Sequence, residues 1–91
     1  MIFNYNMQVM INLEISLFYH LRQKAGASPI YLSVPHGTTV QQVKDILEQE
    51  YPQLTTHLDN VMILKGKQII LEDNILNENA TISFLTPIGG G

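Results

Sequence analysis

From Leu13 to Tyr19 the chain reads LEISLFY, with Leu13, Ile15, Leu17 and Tyr19 alternating against Glu14, Ser16 and Phe18. A period of two marks a strand with one buried face. It leaves Phe18, a large aromatic, on the outer face. HLRQKAG at 20–26 reads as a short helical turn closed by Gly26, a residue that tolerates a left-handed C-terminal position. IYLSV at 30–34, framed by Pro29 and Pro35, is a second strand. The short GAS connection pairs it with the first as a hairpin-like unit with a broad turn.

The pattern then changes period. Thr39 followed three positions later by Gln42 is a capping box. Beyond it Val40, Val43, Ile46, Leu47 and Tyr51 form one apolar stripe at helical spacing, with Gln41, Gln42, Lys44, Asp45 and Glu48 expected to face water. Pro52 ends this helix. VMILKGKQIIL at 61–71 is two aliphatic runs split by Lys65-Gly66-Lys67, hence a hairpin. EDNILNENA is a polar loop with Ile75 and Leu76 tucked in. TISFL at 81–85 closes the pattern, with Ile82 and Phe84 on one face and Thr81, Ser83 and Leu85 on the other.

The order strand, strand, helix, strand, strand, strand predicts an α+β roll: one mixed sheet of about five strands covered by one main helix. A helical crossover between two strands of one sheet makes those strands parallel. The β-grasp fold meets these constraints.

Composition narrows the function. Ninety-one residues, 45% hydrophobic and 14% charged, suit one globular domain. A net charge of −3 without any Lys/Arg cluster argues against a nucleic-acid partner. The absence of cysteine removes disulfides, thiolate nucleophiles and thiolate metal sites. The apolar start MIFNYNMQVMINLEISLFY lacks a preceding Lys or Arg and is interrupted by Asn4, Asn6, Gln8, Asn12 and Glu14. It is read as neither a signal peptide nor a membrane anchor, and the protein as cytoplasmic. His20, His36 and His57 show no metal-ligand spacing, so no metal site is expected. Glu72 and Asp73 read as a solvated turn, and no nucleophile, base and orienting group form a set.

The remaining signal is the end, FLTPIGGG. Glycine loses the most freedom on ordering, so Gly89, Gly90 and Gly91 do not serve a core. A glycine carboxylate has no side chain around it, and glycines before it pass through a channel that a Cβ would obstruct. From Thr86 onward, six extended residues span on the order of 20 Å.

LEISLFYHLRQKAG, GTTVQQVKDILEQEYP, the LKG turn at 64–66 and TISFLTPIGGG together resemble the small subunit of molybdopterin synthase, the MoaD sulfur-carrier family, and more widely ubiquitin-like sulfur carriers such as ThiS. The tail is similar to the family's Phe-x-Pro-Pro-Val-x-Gly-Gly, with Thr86 in place of the first proline and Gly89 in place of a small residue. The resemblance spans residues 13–91 and implies a domain over 12–86, a flexible tail over 87–91, and an N-terminal extension or upstream start over 1–11, with Met7 and Met10 as alternative starts.

The resemblance also implies a non-catalytic carrier that binds no cofactor. A partner adenylating enzyme uses ATP to activate the Gly91 carboxylate, a sulfur donor converts it to a thiocarboxylate, and the large synthase subunit receives the sulfur. Gly89 and Gly90 would thread into the partner, and Phe18, Leu85, Pro87 and Ile88 would form an apolar docking surface. A carrier for thiamin, cysteine or tRNA thiolation, or a ubiquitin-like protein modifier, uses the same activated carboxylate.

Overall fold

In the computed structural model, residues 8–86 are described. The first strand, β1 (Met10–Leu17), alternates exposed and buried positions throughout, as its sequence requires. It begins three residues before Leu13. Ile11, placed with the extension on sequence grounds, is 4% exposed and belongs to the core. The strand also stops before Tyr19, which is turned out to 57% exposure instead of facing inward.

A short helix, α1 (His20–Ala25), ends at Gly26, whose φ of 74° is the left-handed C-terminal position and whose N–H donates to Arg22 O at 2.9 Å. Strand β2 (Ile30–Pro35) then pairs antiparallel with β1, Leu13 opposite Leu32.

Two-residue β3 (Thr38–Thr39) leads directly into the main helix, α2 (Val40–Glu50). Thr39 caps it as the sequence requires: Gln42 N donates to Thr39 Oγ1 at 3.2 Å, and Thr39 N donates to Gln42 Oε1 at 2.9 Å. Val40, Val43 and Leu47 are fully buried. One position on this helix departs from expectation. Lys44, read as facing water, is 4% exposed. It lies four residues after Val40 and three before Leu47, so it falls inside the apolar stripe. Its aliphatic stem is buried there, and its ammonium reaches Glu72 Oε2 at 3.2 Å. Glu72 is thus an ion-pair partner as well as a loop residue.

Pro52 ends α2 by opening a single 3₁₀ turn, Pro52–Leu54, a position proline tolerates because its missing N–H has no helical acceptor. Leu54 and Leu58 from this region complete the core. The hairpin of β4 (Met62–Lys65) and β5 (Gln68–Ile70) has a two-residue turn at Gly66-Lys67. Gly66 takes a φ of 61° there, as the first central position of a tight hairpin turn demands. Next, β6 (Ile75–Leu76) pairs with β3. Leu76 is buried as expected, but Ile75 is 56% exposed, because neighbours in a strand point to opposite faces.

The chain closes with β7 (Ala80–Leu85), which enters the middle of the sheet in the order β2-β1-β7-β4-β5. It runs parallel to β1, Leu17 opposite Phe84, and antiparallel to β4, Met62 opposite Leu85. With β2 antiparallel to β1 and β4 antiparallel to β7, β2 and β4 point the same way, as the helical crossover requires. This is the β-grasp arrangement. Among the described residues, no helix is long and apolar enough to cross a membrane.

Candidate functional site

The site is built where β7 leaves the sheet. Ile82 and Phe84 on its inner face are fully buried, and both of its edges are hydrogen-bonded, to β1 and to β4. The exit point at Thr86 is therefore set by an anchored strand.

On the outer face at this end, Leu85 stands opposite Met62, which is 45% exposed. Leu64, half-buried, lies opposite both Ser83 and the exposed Ile69. On the other side of β7, Phe18 N donates to Phe84 O at 3.2 Å, one residue beyond the Leu17–Phe84 pair. Phe18 and Leu85, both half-buried, thus occupy neighbouring strand ends. The structure brings these two predicted docking residues together. The other predicted site residues, Pro87, Ile88, Gly89, Gly90 and Gly91, lie outside the described residues.

Sequence reasoning missed the contribution of the hairpin. Met62, Leu64 and Ile69 occupy outward positions of VMILKGKQIIL, and their alternation with buried Ile63 and Ile70 is the signal that could have placed them on the same sheet face as Leu85. It also missed Tyr19. The chain must leave β1 and enter α1 across only Phe18 and Tyr19, while Leu17 and Leu21 on either side are held in the core. The turn forces Tyr19 to φ 53° and ψ −123°, a region suited to glycine that costs a bulky residue on the order of 1–3 kcal/mol. The Phe18 and Tyr19 rings are 6.1 Å apart between centroids and tilted by 55°.

The opposite end of the same sheet face mixes polar side chains with apolar surface from Leu13, Leu32 and Ala80. A shallow groove of about 570 Å³ there is lined by residues including Asn12, Glu14, Tyr31, Ser33, Asn79 and Thr81. Among the described residues, no group of three or more His, Cys, Asp or Glu side chains gathers in metal-binding proximity. Chemically, the described residues at the tail end of the sheet offer an apolar contact surface around a fixed chain exit, and no acid, base and nucleophile are grouped among them.

The ThiS family model matches residues 15–91. The chain belongs to the ThiS family.

Two curated relatives of this ThiS-family chain are both named molybdopterin synthase sulfur carrier subunit. The one from Arabidopsis thaliana is 24% identical over 81 residues, covering 89% of this chain and 84% of that protein. The one from Mycobacterium tuberculosis is 26% identical over 83 residues, covering 90% and 100%. Among solved structures, the small archaeal modifier protein SAMP1 from Haloferax volcanii superposes with a TM-score of 0.78 at 20% identity, over 88% of this chain and 99% of that one. A chain in the complex of subunits 1 and 2 of molybdopterin-converting factor from Helicobacter pylori superposes with a TM-score of 0.60 at 21% identity, over 89% and 100%. These likenesses establish the ubiquitin-like β-grasp fold.

Proposed function

We propose that this chain is a sulfur carrier of the MoaD type, supplying thiocarboxylate sulfur for molybdopterin synthesis in the cytoplasm. The observation that carries the reading is the extent of the family match: it spans residues 15–91, from within β1 past the anchored closing strand to Gly91. The two curated relatives, both named as the sulfur carrier of molybdopterin synthase, support the pathway.

The chemistry follows from the end group. A terminal carboxylate has a pKa of about 3.3–3.7 and is an anion at neutral pH, so a sulfur nucleophile does not attack it. A partner adenylating enzyme solves this by letting the Gly91 carboxylate displace pyrophosphate from ATP. A sulfide-level donor then adds at the acyl carbon and AMP leaves, giving the thiocarboxylate. This chain's own part is to present the tail and dock. The apolar surface of Phe18, Leu85, Met62, Leu64 and Ile69 is its contact for the large synthase subunit and the activating enzyme. The Helicobacter pylori complex of subunits 1 and 2 supports such a pairing.

Intact mass spectrometry of the protein purified from its own cells tests the reading. A fraction heavier by about 16 Da, absent when Gly91 is deleted, is the expected result for replacement of one oxygen by sulfur. A protein modifier uses the same activated carboxylate with an amine acceptor, and the modifier name of the Haloferax volcanii neighbour keeps that reading in the test. Branched peptides joining Gly91 to lysines would favour it. Neither species, even after incubation with the adenylating enzyme, ATP and a sulfur donor, would overturn both.

A further inference from the structure

Tyr19 combines two features that a surface loop has no structural need to combine. Its backbone sits where glycine is at ease, and the residue is 57% exposed. Glycine would fill this turn without strain, and most of what a smaller residue would remove faces solvent. A bulky residue held in such a conformation persists because the surroundings fix it, here through Leu17 and Leu21 in the core and the bond from Phe18 N to Phe84 O.

The ring is also placed where it extends the docking surface. It neighbours Phe18 at 6.1 Å, and Phe18 is hydrogen-bonded to the strand that delivers the tail. Beside it lies a shallow notch of about 290 Å³ lined by Tyr19, His20, Arg22 and Gln23. These supply a phenol, an imidazole, a guanidinium and an amide, all able to donate hydrogen bonds, and among the described residues no carboxylate lines the notch. In a chain of net charge −3, a donor-rich notch with a fixed cation is complementary to an anion.

We propose that Tyr19 is an anchor for the protein partner that receives the tail, and that the notch beside it accepts an acidic side chain of that partner. The proposal rests on the carrier reading above, in which one protein contacts Phe18 and Leu85. The aromatic ring extends this apolar surface from the sheet to the start of α1, and the notch adds a charge requirement that Phe18 and Leu85 do not supply. Aromatic residues at the centre of a contact contribute disproportionately to affinity, consistent with a strained backbone being retained to present one.

The test uses the full chain with the large molybdopterin synthase subunit of the same organism, by titration calorimetry and thermal melting. Tyr19→Gly and Tyr19→Ala both remove the ring, but only Gly relieves the backbone. The expected result is about tenfold weaker binding for each, with the Gly variant melting about 5 °C above the Ala variant. Gln23→Glu places a carboxylate in the notch and is expected to weaken binding about tenfold by repulsion. Unchanged affinity in both Tyr19 variants, with Phe18→Lys still disrupting binding, overturns the anchor and leaves the carrier reading standing. A Gly variant melting no higher than the Ala variant overturns the strained presentation, and full affinity in Gln23→Glu overturns the acidic partner. If the wild-type chain does not bind the large subunit, the pairing on which the proposal rests fails with it.

Discussion

Lys44 Nζ and Glu72 Oε2 lie 3.2 Å apart, joining the buried stripe of α2 to the loop that follows β5. The same loop receives two backbone bonds from the start of the helix, Gln41 N to Glu72 O at 2.9 Å and Val40 N to Asn74 O at 3.0 Å. The ion pair thus closes a junction that the main chain already makes.

This pair gives stability an acid limb. Glu72 is held below its ordinary value of 4.5, first by its own backbone N–H and then by hydrogen bonding and charge attraction from Lys44. A depressed folded-state pKa contributes stability above the unfolded value and loses it as pH falls through the folded one. Melting curves recorded from pH 7 down to pH 2.5 should show a decline below pH 4.5 that is smaller in Glu72→Gln. At pH 7 that variant should be less stable by about 1 kcal/mol, a modest figure because the carboxylate is partly in water. Lys44→Met, which keeps the stem and removes the charge, should change stability less than Glu72→Gln does.

Phe84 is fully buried in the central strand. Phe84→Ala should cost about 3–5 kcal/mol, measured by urea unfolding. A cost below 1 kcal/mol would show that the strand delivering the tail is not anchored by this ring.

Met62 and Leu85 face each other on the outer side of the sheet. Replacing either with Lys should shift the melting temperature little but weaken binding to the large synthase subunit at least tenfold, because the docked charge would be buried without a partner. Wild-type affinity in both variants would place the contact elsewhere.

The core side chains among the described residues run from Ile11 to Phe84. On the carrier reading, deleting Gly91 should abolish sulfur transfer in a reconstituted synthase, since the activated carbon would stop one residue short, and should leave the melting temperature unchanged because glycine has no side chain to pack. Retained transfer would remove the end carboxylate from the mechanism.

The helix, its capping box and the alternating strands were legible because each depends on residues only two to four positions apart. The resemblance of the segments between Leu13 and Gly91 then supplied the family, and Phe18 and Leu85 followed from it. What escaped depends on contacts between distant segments. Lys44 was sorted by its charge, although its spacing from Val40 and Leu47 put it in the stripe; its partner Glu72 is 28 residues away. Ile75 and Leu76 could not be told apart until β6 had a partner. Leu54 and Leu58, four apart in a polar stretch, carry a faint helical spacing that a single pair does not establish. Tyr19 extended the period of β1 perfectly, and only the demand that both Leu17 and Leu21 reach the core turns it outward.

The placement of β7 has a consequence for how the protein is made. Of the described strands, the one synthesised last occupies the middle of the sheet, between β1 and β4. Until it emerges from the ribosome, β1 and β4 have no neighbour to join them, and the two halves of the sheet are unconnected. A nascent chain arrested before Ala80 cannot close. Cells would thus meet prematurely ended chains as open, degradable polypeptides, and those that reach the folded state would be the ones already carrying β7.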